Sequence, residues 1–298
     1  MDKTVACTGF FDGVHKGHVS VFEKLKEESR SSGLSPCVIT FWPHPRIVLN
    51  KDANNLRLLT TLDEKVSLIK KAGIDRTIVL PFTREFSEMS PEDFISEILV
   101  KKIRTAHLCI GYDHRIGKGG AADFDTISRI CAKYGITTTG TAAVTVDDEE
   151  AGSGKIRRYL SEGNLGQARS MLGYDYFITG IVTHGNKLGR ELGFPTANLS
   201  IDEPLKLIPA KGVYAAEATV DGKNCPGMLY IGNRPTIDNK PGIEINIFDF
   251  SENIYGKKIT VDLKKYVRVE FKFGNVNELA EQLNDDKRIV EEYFNSYR

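Results

Sequence analysis

Gly9-Phe10-Phe11-Asp12-Gly13-Val14-His15-Lys16-Gly17-His18 is the stretch on which the fold turns. A short apolar run, Val5-Ala6-Cys7, precedes it, and Val21, Phe22 and Leu25 follow at helical spacing. The order is strand, Gly-rich turn, helix. In open α/β sheets such a turn lies at the carboxyl end of a parallel strand, where helix N-termini offer unpaired N–H groups to phosphates. His15 and His18 add two imidazoles, cationic or neutral donors able to follow charge developing on a phosphoryl oxygen. A Gly-rich turn alone is common, and a His-x-Gly-His run is also compatible with two surface histidines. Their coincidence at the first strand-to-helix junction favours a phosphate site.

Working outward, strands and helical patterns alternate. Cys37–Phe41 is an apolar strand followed by the stiff segment Trp42-Pro43-His44-Pro45. Thr61-Leu62-Asp63-Glu64 has capping-box spacing ahead of a helix with Leu62, Val66 and Ile69 on one face. Thr77–Leu80 is a strand, Ser90-Pro91 opens a helix, and Ala106–Ile110 is a strand ending at Gly111-Tyr112-Asp113. Phe124, Ile127, Cys131 and Tyr134 mark a helix, and Ala142–Val146 is expected as the last strand. This grammar predicts βαβ units and a parallel sheet, with His15/His18, Pro43-His44-Pro45 and Gly111–Gly117 on one rim. Ser153-Gly154-Lys155-Ile156-Arg157-Arg158 then opens a helix. Alone it is an ordinary basic helix start; beside the other rim segments it fits an outer-phosphate contact through Ser153 and Arg157.

After two short helices at Arg157–Leu160 and Leu165–Leu172 the pattern changes, and the boundary is placed at Gly173, giving domains 1–172 and 173–298. Ile178–Val182, Val213–Val220, Met228–Ile231, Glu244–Phe248, Ile259–Leu263 and Val267–Phe273 are short strands, with Asp221-Gly222 as a type I′ hairpin turn. Such spacing predicts a small antiparallel barrel, closed by helical patterns at Leu279/Leu283 and Ile289–Phe294. Gly180, Gly185, Gly189 and Gly193 make a pliable loop whose N–H groups suit phosphates, while Thr196 and Asn198 offer hard oxygen ligands to a magnesium ion. Gly-rich loops between strands are equally a plain structural device. Glu244 opens an alternating strand, where a solvated edge glutamate is the ordinary reading.

Composition sets bounds. The 298 residues contain 40 Lys+Arg and 40 Asp+Glu, so no basic field recruits nucleic acid. The five cysteines are scattered without a Cys-x-x-Cys, which predicts reduced core thiols of a cytoplasmic protein. The chain enters a strand at once, with no expected signal peptide, and no apolar run approaches the ~20 residues of a membrane span.

The His-x-Gly-His pair within Gly9–Gly13 resembles the signature of the nucleotidylyltransferase superfamily, and the flanking residues resemble the flavin adenylyltransferase module of bacterial bifunctional riboflavin kinase/FAD synthetases. Phe41-Trp42-Pro43-His44-Pro45 matches that family's Phe-x-Pro-His-Pro loop. Gly180–Leu199 with its Pro-Thr-Ala-Asn core resembles the riboflavin kinase signature. Gly212-Val213-Tyr214, Gly232–Thr236, Glu244–Phe250, Tyr255-Gly256-Lys257 and Arg268–Phe273 follow in the family's order. Two segments depart: Gly152-Ser153-Gly154 retains only Ser153 of the usual hydroxyl run, and His114 and Ile116 stand where phenylalanines are usual.

The resemblance implies a Rossmann-like α/β nucleotidylyltransferase domain followed by a β-barrel riboflavin kinase domain with a C-terminal helix. It implies phosphorylation of riboflavin to FMN by Mg-ATP in the barrel, then adenylylation of FMN to FAD in the first domain. By the same carry-over, Gly9, Phe10, Asp12, His15, His18, Ser153, Arg157, Gly185, Thr196 and Asn198 bind ATP, with Thr196 and Asn198 also holding Mg2+. Pro43, His44, Pro45, Asp113, Glu244 and Arg268 border the flavin; Glu244, His15 and His18 are catalytic. The expected partners are these small molecules, with no nucleic acid and no membrane; the oligomeric state stays open. Two alternatives remain at this point: a riboflavin kinase whose first domain adenylylates weakly or not at all, and a non-catalytic flavin-binding regulator.

Overall fold

The computed structural model describes residues 3–50, 55–184, 189, 192–233 and 241–296, and the chain divides into two compact units, Met1–Ser153 and Gly154–Arg298. In the first, β1 (Thr4–Thr8) leads into α1 (Lys16–Ser32), then β2 (Ser35–Trp42), the single turn α2 (Pro45–Val48), α3 (Leu62–Lys71) and β3 (Thr77–Pro81). Short α4 (Arg84–Ser87) and α5 (Pro91–Asp93) follow, the latter running into a π-helical segment, Phe94–Ile103. β4 (Thr105–Ile110), α6 (Phe124–Lys133) and β5 (Thr137–Gly140) complete a parallel five-stranded sheet of order β3-β2-β1-β4-β5.

Every residue of β1 is buried, as a central parallel strand covered on both faces requires. Ala6, Cys37 and Leu108 pack with Phe94, Ile95 and Leu99 of the π-helical segment. The chain proceeds from β1 to β2 on one side and returns to β4 on the other. That reversal is the topological switch point, and the crevice it creates opens at the carboxyl ends of β1 and β4. The expected rim therefore exists, and the turn carrying His15 and His18 leaves β1 at its centre.

The last strand of this sheet is not Ala142–Val146. It is Thr137–Gly140, while Thr145–Val146 (β6) pairs only with Glu149–Glu150 (β7) in a separate hairpin. An edge strand of three threonines has no apolar alternation to betray it; β-branching is its only sequence signal.

α7 (Ser153–Ser161) and α8 (Leu165–Leu172) precede the barrel. By compactness they fall on the barrel's side, where the backbone N–H of Ala210 donates to the Leu160 carbonyl at 2.9 Å. The change of sequence grammar comes later, at Gly173. β8 (Phe177–Thr183), β9 (Ala197–Ser200), β10 (Gly212–Val220), β11 (Lys223–Asn233), β12 (Pro241–Ile247) and β13 (Lys258–Val269) close into an antiparallel barrel of order β10-β11-β12-β9-β8-β13. Asp221 (φ 49°) and Gly222 (φ 79°) form the left-handed pair that a type I′ turn needs.

Three details differ from expectation. β9 lies inside the stretch read as loop, because four residues flanked by Pro195 and polar positions carry too little pattern to show. Residues 258–269 form one strand, and Phe271 to Phe273 lie beyond its end. The closing helical patterns are one helix, α9 (Val276–Asn295), capped by the Asn275 side chain. Its Val290 packs with Phe194, Val213, Ala215 and Met228.

Candidate functional sites

The turn after β1 is built by a sharp reversal. Phe11 adopts φ 55° and Gly13 φ 78°, and His15 is the extended residue that opens α1. Gly9 is required for a packing reason: a Cβ there would meet the Phe11 ring at 2.8 Å. Phe11 in turn packs edge-on to His18 and to Phe22. Three residues apart on the first helical turn, His15 and His18 share a face, and their rings stack with centroids 3.6 Å apart. Burial, then the neighbouring His15 and then the Lys65 charge, hold His18 well below the usual imidazole range. His18 is therefore a neutral imidazole at pH 7, a donor and not a cation. Its Nδ1 is buried and has no hydrogen-bond partner among the described residues.

Asp12 is 4% exposed, and its carboxylate accepts the backbone N–H groups of Leu59 and Thr60 at 3.1 Å each and the Thr60 hydroxyl at 3.2 Å. It therefore clamps the turn to the segment before α3. Ser153 is brought to the same turn: its Oγ donates to the Asp12 carbonyl at 3.0 Å. Arg157 lies further along α7, in the second unit.

The segment after β2 forms a wall. Pro43 follows a cis peptide, Pro45 begins α2, and His44 caps it, its Nδ1 accepting the Arg46 N–H at 3.1 Å. The Phe10 ring meets His44 edge-on at 4.1 Å and lies parallel to Trp42 at 6.4 Å. Beyond β4, Asp113 is exposed on the neighbouring loop, and Tyr112 donates to Glu150 at 2.8 Å. His114, next to it, has an Nε2 that is buried without a partner among the described residues, and burial pulls its pKa to about 4 against a smaller opposing effect of Asp113.

Lys65 was missed from sequence. It sits on the first turn of α3, 1% exposed, with Nζ donating to the carbonyls of Phe10 at 3.0 Å and Phe41 at 3.3 Å. Burial lowers its pKa to about 8, against the opposing pull of Asp12. The signal was present: a lysine three residues after Leu62 and four before Ile69 falls on the apolar stripe of its helix.

In the second unit, β12 sets Glu244 directly opposite Tyr230 of β11 and Asn198 of β9. Thr196, just before β9, donates its hydroxyl to Glu244 Oε2 at 3.1 Å. Thr196, Asn198 and Glu244 are thus neighbours although up to 48 residues separate them. Asn198 is 4% exposed, and Asn246, on the same face of β12 as Glu244, ties the strand to the Pro195 carbonyl at 2.7 Å. A cavity of about 530 Å3 opens beside Thr196, lined by Pro195, Ile245, Ile247, Ile254 and Tyr255. His184 stacks on Tyr255 with centroids 3.9 Å apart.

Tyr230 donates to Glu270 at 2.5 Å; burial, then that bond, then Glu244 push its phenol pKa up. Arg268, expected beside the flavin, makes a bidentate pair with the fully buried Asp286 of α9, from Nε at 2.8 Å and Nη2 at 2.7 Å. Its Nη1 donates to the Val269 carbonyl, and its guanidinium lies 4.4 Å from the Phe271 ring centre. Gly185 and Arg234 to Thr236 lie outside the described residues. All five cysteines are free thiols, four of them buried.

Comparison with known proteins adds a family to this geometry. Residues 1–155 match the FAD synthetase family and residues 172–294 the riboflavin kinase family. The chain is 37% identical to a bifunctional riboflavin kinase/FMN adenylyltransferase of Bacillus subtilis, over 99% of this chain and 94% of the relative. Its namesake in Listeria monocytogenes is 39% identical, over 97% and 92% of the two chains. A crystal structure from Streptococcus pneumoniae, described as a macrolide-efflux protein, matches with a TM-score of 0.85 at 27% identity, covering 97% of this chain and 94% of that one. Among the described residues, no helix is long and apolar enough to cross a membrane.

Proposed function

The chain belongs to the bifunctional riboflavin kinase/FMN adenylyltransferase family, and from that premise we propose how its residues divide the work. It is a transferase acting twice on one vitamin, phosphorylating riboflavin to FMN and then adenylylating FMN to FAD. The kinase reaction is assigned to the barrel and the adenylyl transfer to the parallel sheet. α7 and α8 lie for most of their length between the two family matches.

In the barrel, Glu244 is the base that accepts the proton of the riboflavin 5′-hydroxyl as that oxygen attacks the γ-phosphorus of ATP. Phosphoryl transfer asks mainly for positioning and charge neutralisation, so one carboxylate suffices for the proton. The observation that supports this assignment is the Thr196–Glu244 hydrogen bond, which brings a hydroxyl and a carboxylate together at one point of the barrel. Thr196 and Asn198, hard oxygen donors flanking Glu244, fit Mg2+, and they would hold it. Bound there, Mg2+ would supply charge neutralisation to the phosphate oxygens. The cavity beside Thr196, where Ile245, Ile247, Ile254 and the Tyr255 ring meet polar Ser251, Glu252 and Asn253, has the size to take the adenine ring.

In the first unit the FMN phosphate is itself the nucleophile, ionised at neutral pH, and pyrophosphate leaves from the α-phosphorus. His15 and His18 donate to the phosphate oxygens as charge grows. Since His18 is neutral, its contribution is a directed N–H and not a net charge. Ser153 serves the outer phosphates, and the Phe10, His44 and Asp113 surfaces border the flavin. Asp12 acts indirectly, by fixing the turn, and Arg268 by fixing the end of β13 against α9. The small-molecule character of both substrates fits a cytoplasmic enzyme.

Separated variants test the division. Glu244→Gln abolishes FMN formation while added FMN is still converted to FAD; His18→Ala does the reverse, with chromatography of the products as the readout. Loss of both activities in a folded single variant refutes the two-site assignment, and FMN without FAD from the unaltered protein refutes the second activity.

A further inference from the structure

Lys65 has a place in the first unit that the reaction outlined above does not use. Its helix is anchored at the N-terminus by a complete capping box, Thr61 Oγ accepting the Glu64 N–H and the Glu64 carboxylate accepting the Thr61 N–H. The next residue, Lys65, projects from this fixed turn into the sheet's carboxyl edge. The carbonyls it binds are not arbitrary. Phe10 begins the turn that carries His15 and His18, and Phe41 ends the strand that carries Pro43-His44-Pro45. One ammonium therefore ties together the two segments between which a phosphate and a flavin must be seated. The same ammonium lies 3.9 Å from the centre of the Phe10 ring, whose edge contact with His44 spans both walls, and 5.5 Å from the Trp42 ring.

A buried lysine is costly unless its charge is used. The charged and titratable groups around it are few. Asp12, from the turn, is the countercharge, but its carboxylate is engaged by Leu59 and Thr60. His18 feels the Lys65 charge, His15 stacks on His18, His44 touches Phe10, and Glu64 of its own helix is turned back to Thr61. None makes a close ion pair with it among the described contacts.

We infer that Lys65 is a positioning residue for adenylyl transfer: it sets the spacing between the His15/His18 turn and the Pro43–Pro45 loop and keeps a positive charge behind the phosphates. This rests on the assignment of adenylyl transfer to the first unit. The role asks for a fixed charge with directional donors, which a methionine of similar volume does not supply.

The test uses the full chain and purified FMN, with riboflavin phosphorylation as the internal control. Lys65→Met lowers kcat for FAD formation by about 10- to 100-fold, the scale of a site whose reacting groups are misplaced by an ångström, and leaves riboflavin phosphorylation within twofold. The unaltered enzyme loses kcat/KM for FAD formation above about pH 8 as Lys65 deprotonates; Lys65→Met lacks that alkaline limb. Lys65→Arg, which keeps the charge, recovers about tenfold over Lys65→Met and moves the limb beyond pH 10. Should Lys65→Met disturb folding, seen as a lowered Trp42 fluorescence transition, Lys65→Arg against Lys65→Gln gives the same comparison. FAD formation by Lys65→Met at the original kcat, with an unchanged alkaline limb, overturns the inference. Absence of FAD formation by the unaltered enzyme overturns instead the assignment on which it rests.

Discussion

Replacing His114 by phenylalanine should make the first unit more stable, and increasingly so in acid. At neutral pH the gain comes from the buried Nε2 of His114, which has no partner among the described residues. Leaving such a group unsatisfied costs about 1 kcal/mol or somewhat more, and a phenyl ring has nothing to satisfy. The acid term follows from titration. In the unfolded chain the imidazole takes up a proton near pH 6.5, whereas in the folded protein burial delays this to about pH 4. Below pH 6.5 the unfolded state therefore binds more protons, and stability falls as pH drops towards 4. Each pH unit in that window costs about 1.4 kcal/mol, so between pH 6.5 and 5 the protein loses about 2 kcal/mol through this one residue.

His18 adds a slope of the same sign, so the wild-type curve alone does not isolate His114. The difference between wild type and His114→Phe does. The chain has a single tryptophan, Trp42, at the end of β2, so its fluorescence reports on the first unit specifically. Urea unfolding should show His114→Phe ahead by about 1 kcal/mol at pH 7.5 and about 3 kcal/mol at pH 5. With a slope of about 2 kcal/mol per molar urea, that is a widening of the midpoint gap by about 1 M. A gap that stays constant between the two pH values would mean His114 titrates alike in both states, and the burial argument would be refuted.

Asp12→Ala strands the buried N–H groups of Leu59 and Thr60 and should lower the Trp42 transition by about 2–4 kcal/mol, while the riboflavin kinase rate is kept. Thr196→Val removes the hydroxyl beside Glu244 with little change of shape. It should raise the Mg2+ concentration needed for half-maximal kinase activity about 10- to 100-fold, with FMN adenylylation unaffected. Asp286→Ala leaves Arg268 without its buried carboxylate and should cost the barrel about 3–5 kcal/mol, visible by circular dichroism with the Trp42 transition unmoved.

What sequence discloses here depends on whether a structural demand is local. The β1 turn shows because glycines, a helix start and two histidines fall within ten residues. The Asp221-Gly222 hairpin shows because only left-handed residues suit that turn. β5 stays hidden because an exposed edge of threonines satisfies no apolar pattern, and β9 because four residues are too few for one. Lys65 and the Arg268–Asp286 pair are harder for a different reason. Their partners, Phe10 and Phe41 in one case and α9 in the other, lie 18 or more residues away, so their chemistry exists only in three dimensions. Resemblance identified Arg268 as important, but which group it touches follows only from the fold.

The two units handle buried polarity differently, and that contrast fits their chemistry. Among the described residues of the barrel, the buried polar groups are matched: Asp286 with Arg268 and Gln282, Tyr230 with Glu270, Asn246 with the Pro195 carbonyl. In the parallel unit, Thr8 at the end of β1, His18 on α1, Thr105 and His107 in β4 and His114 beyond it each bury a polar atom with no partner among the described residues. Thr8, His18 and His114 belong to the carboxyl edge of β1 and β4, where the strand order reverses, whereas Thr105 opens β4 at the other edge. A fold kept only for stability would replace such atoms with carbon, since each lowers the folded state's margin by an amount comparable to a helix cap. Those at the carboxyl edge, which topology assigns to ligands, are what a site looks like when it sets aside stability for donors held ready in position. With no net charge on the chain to gather anions, that local supply of donors, together with the buried charge of Lys65, is what the phosphates would meet.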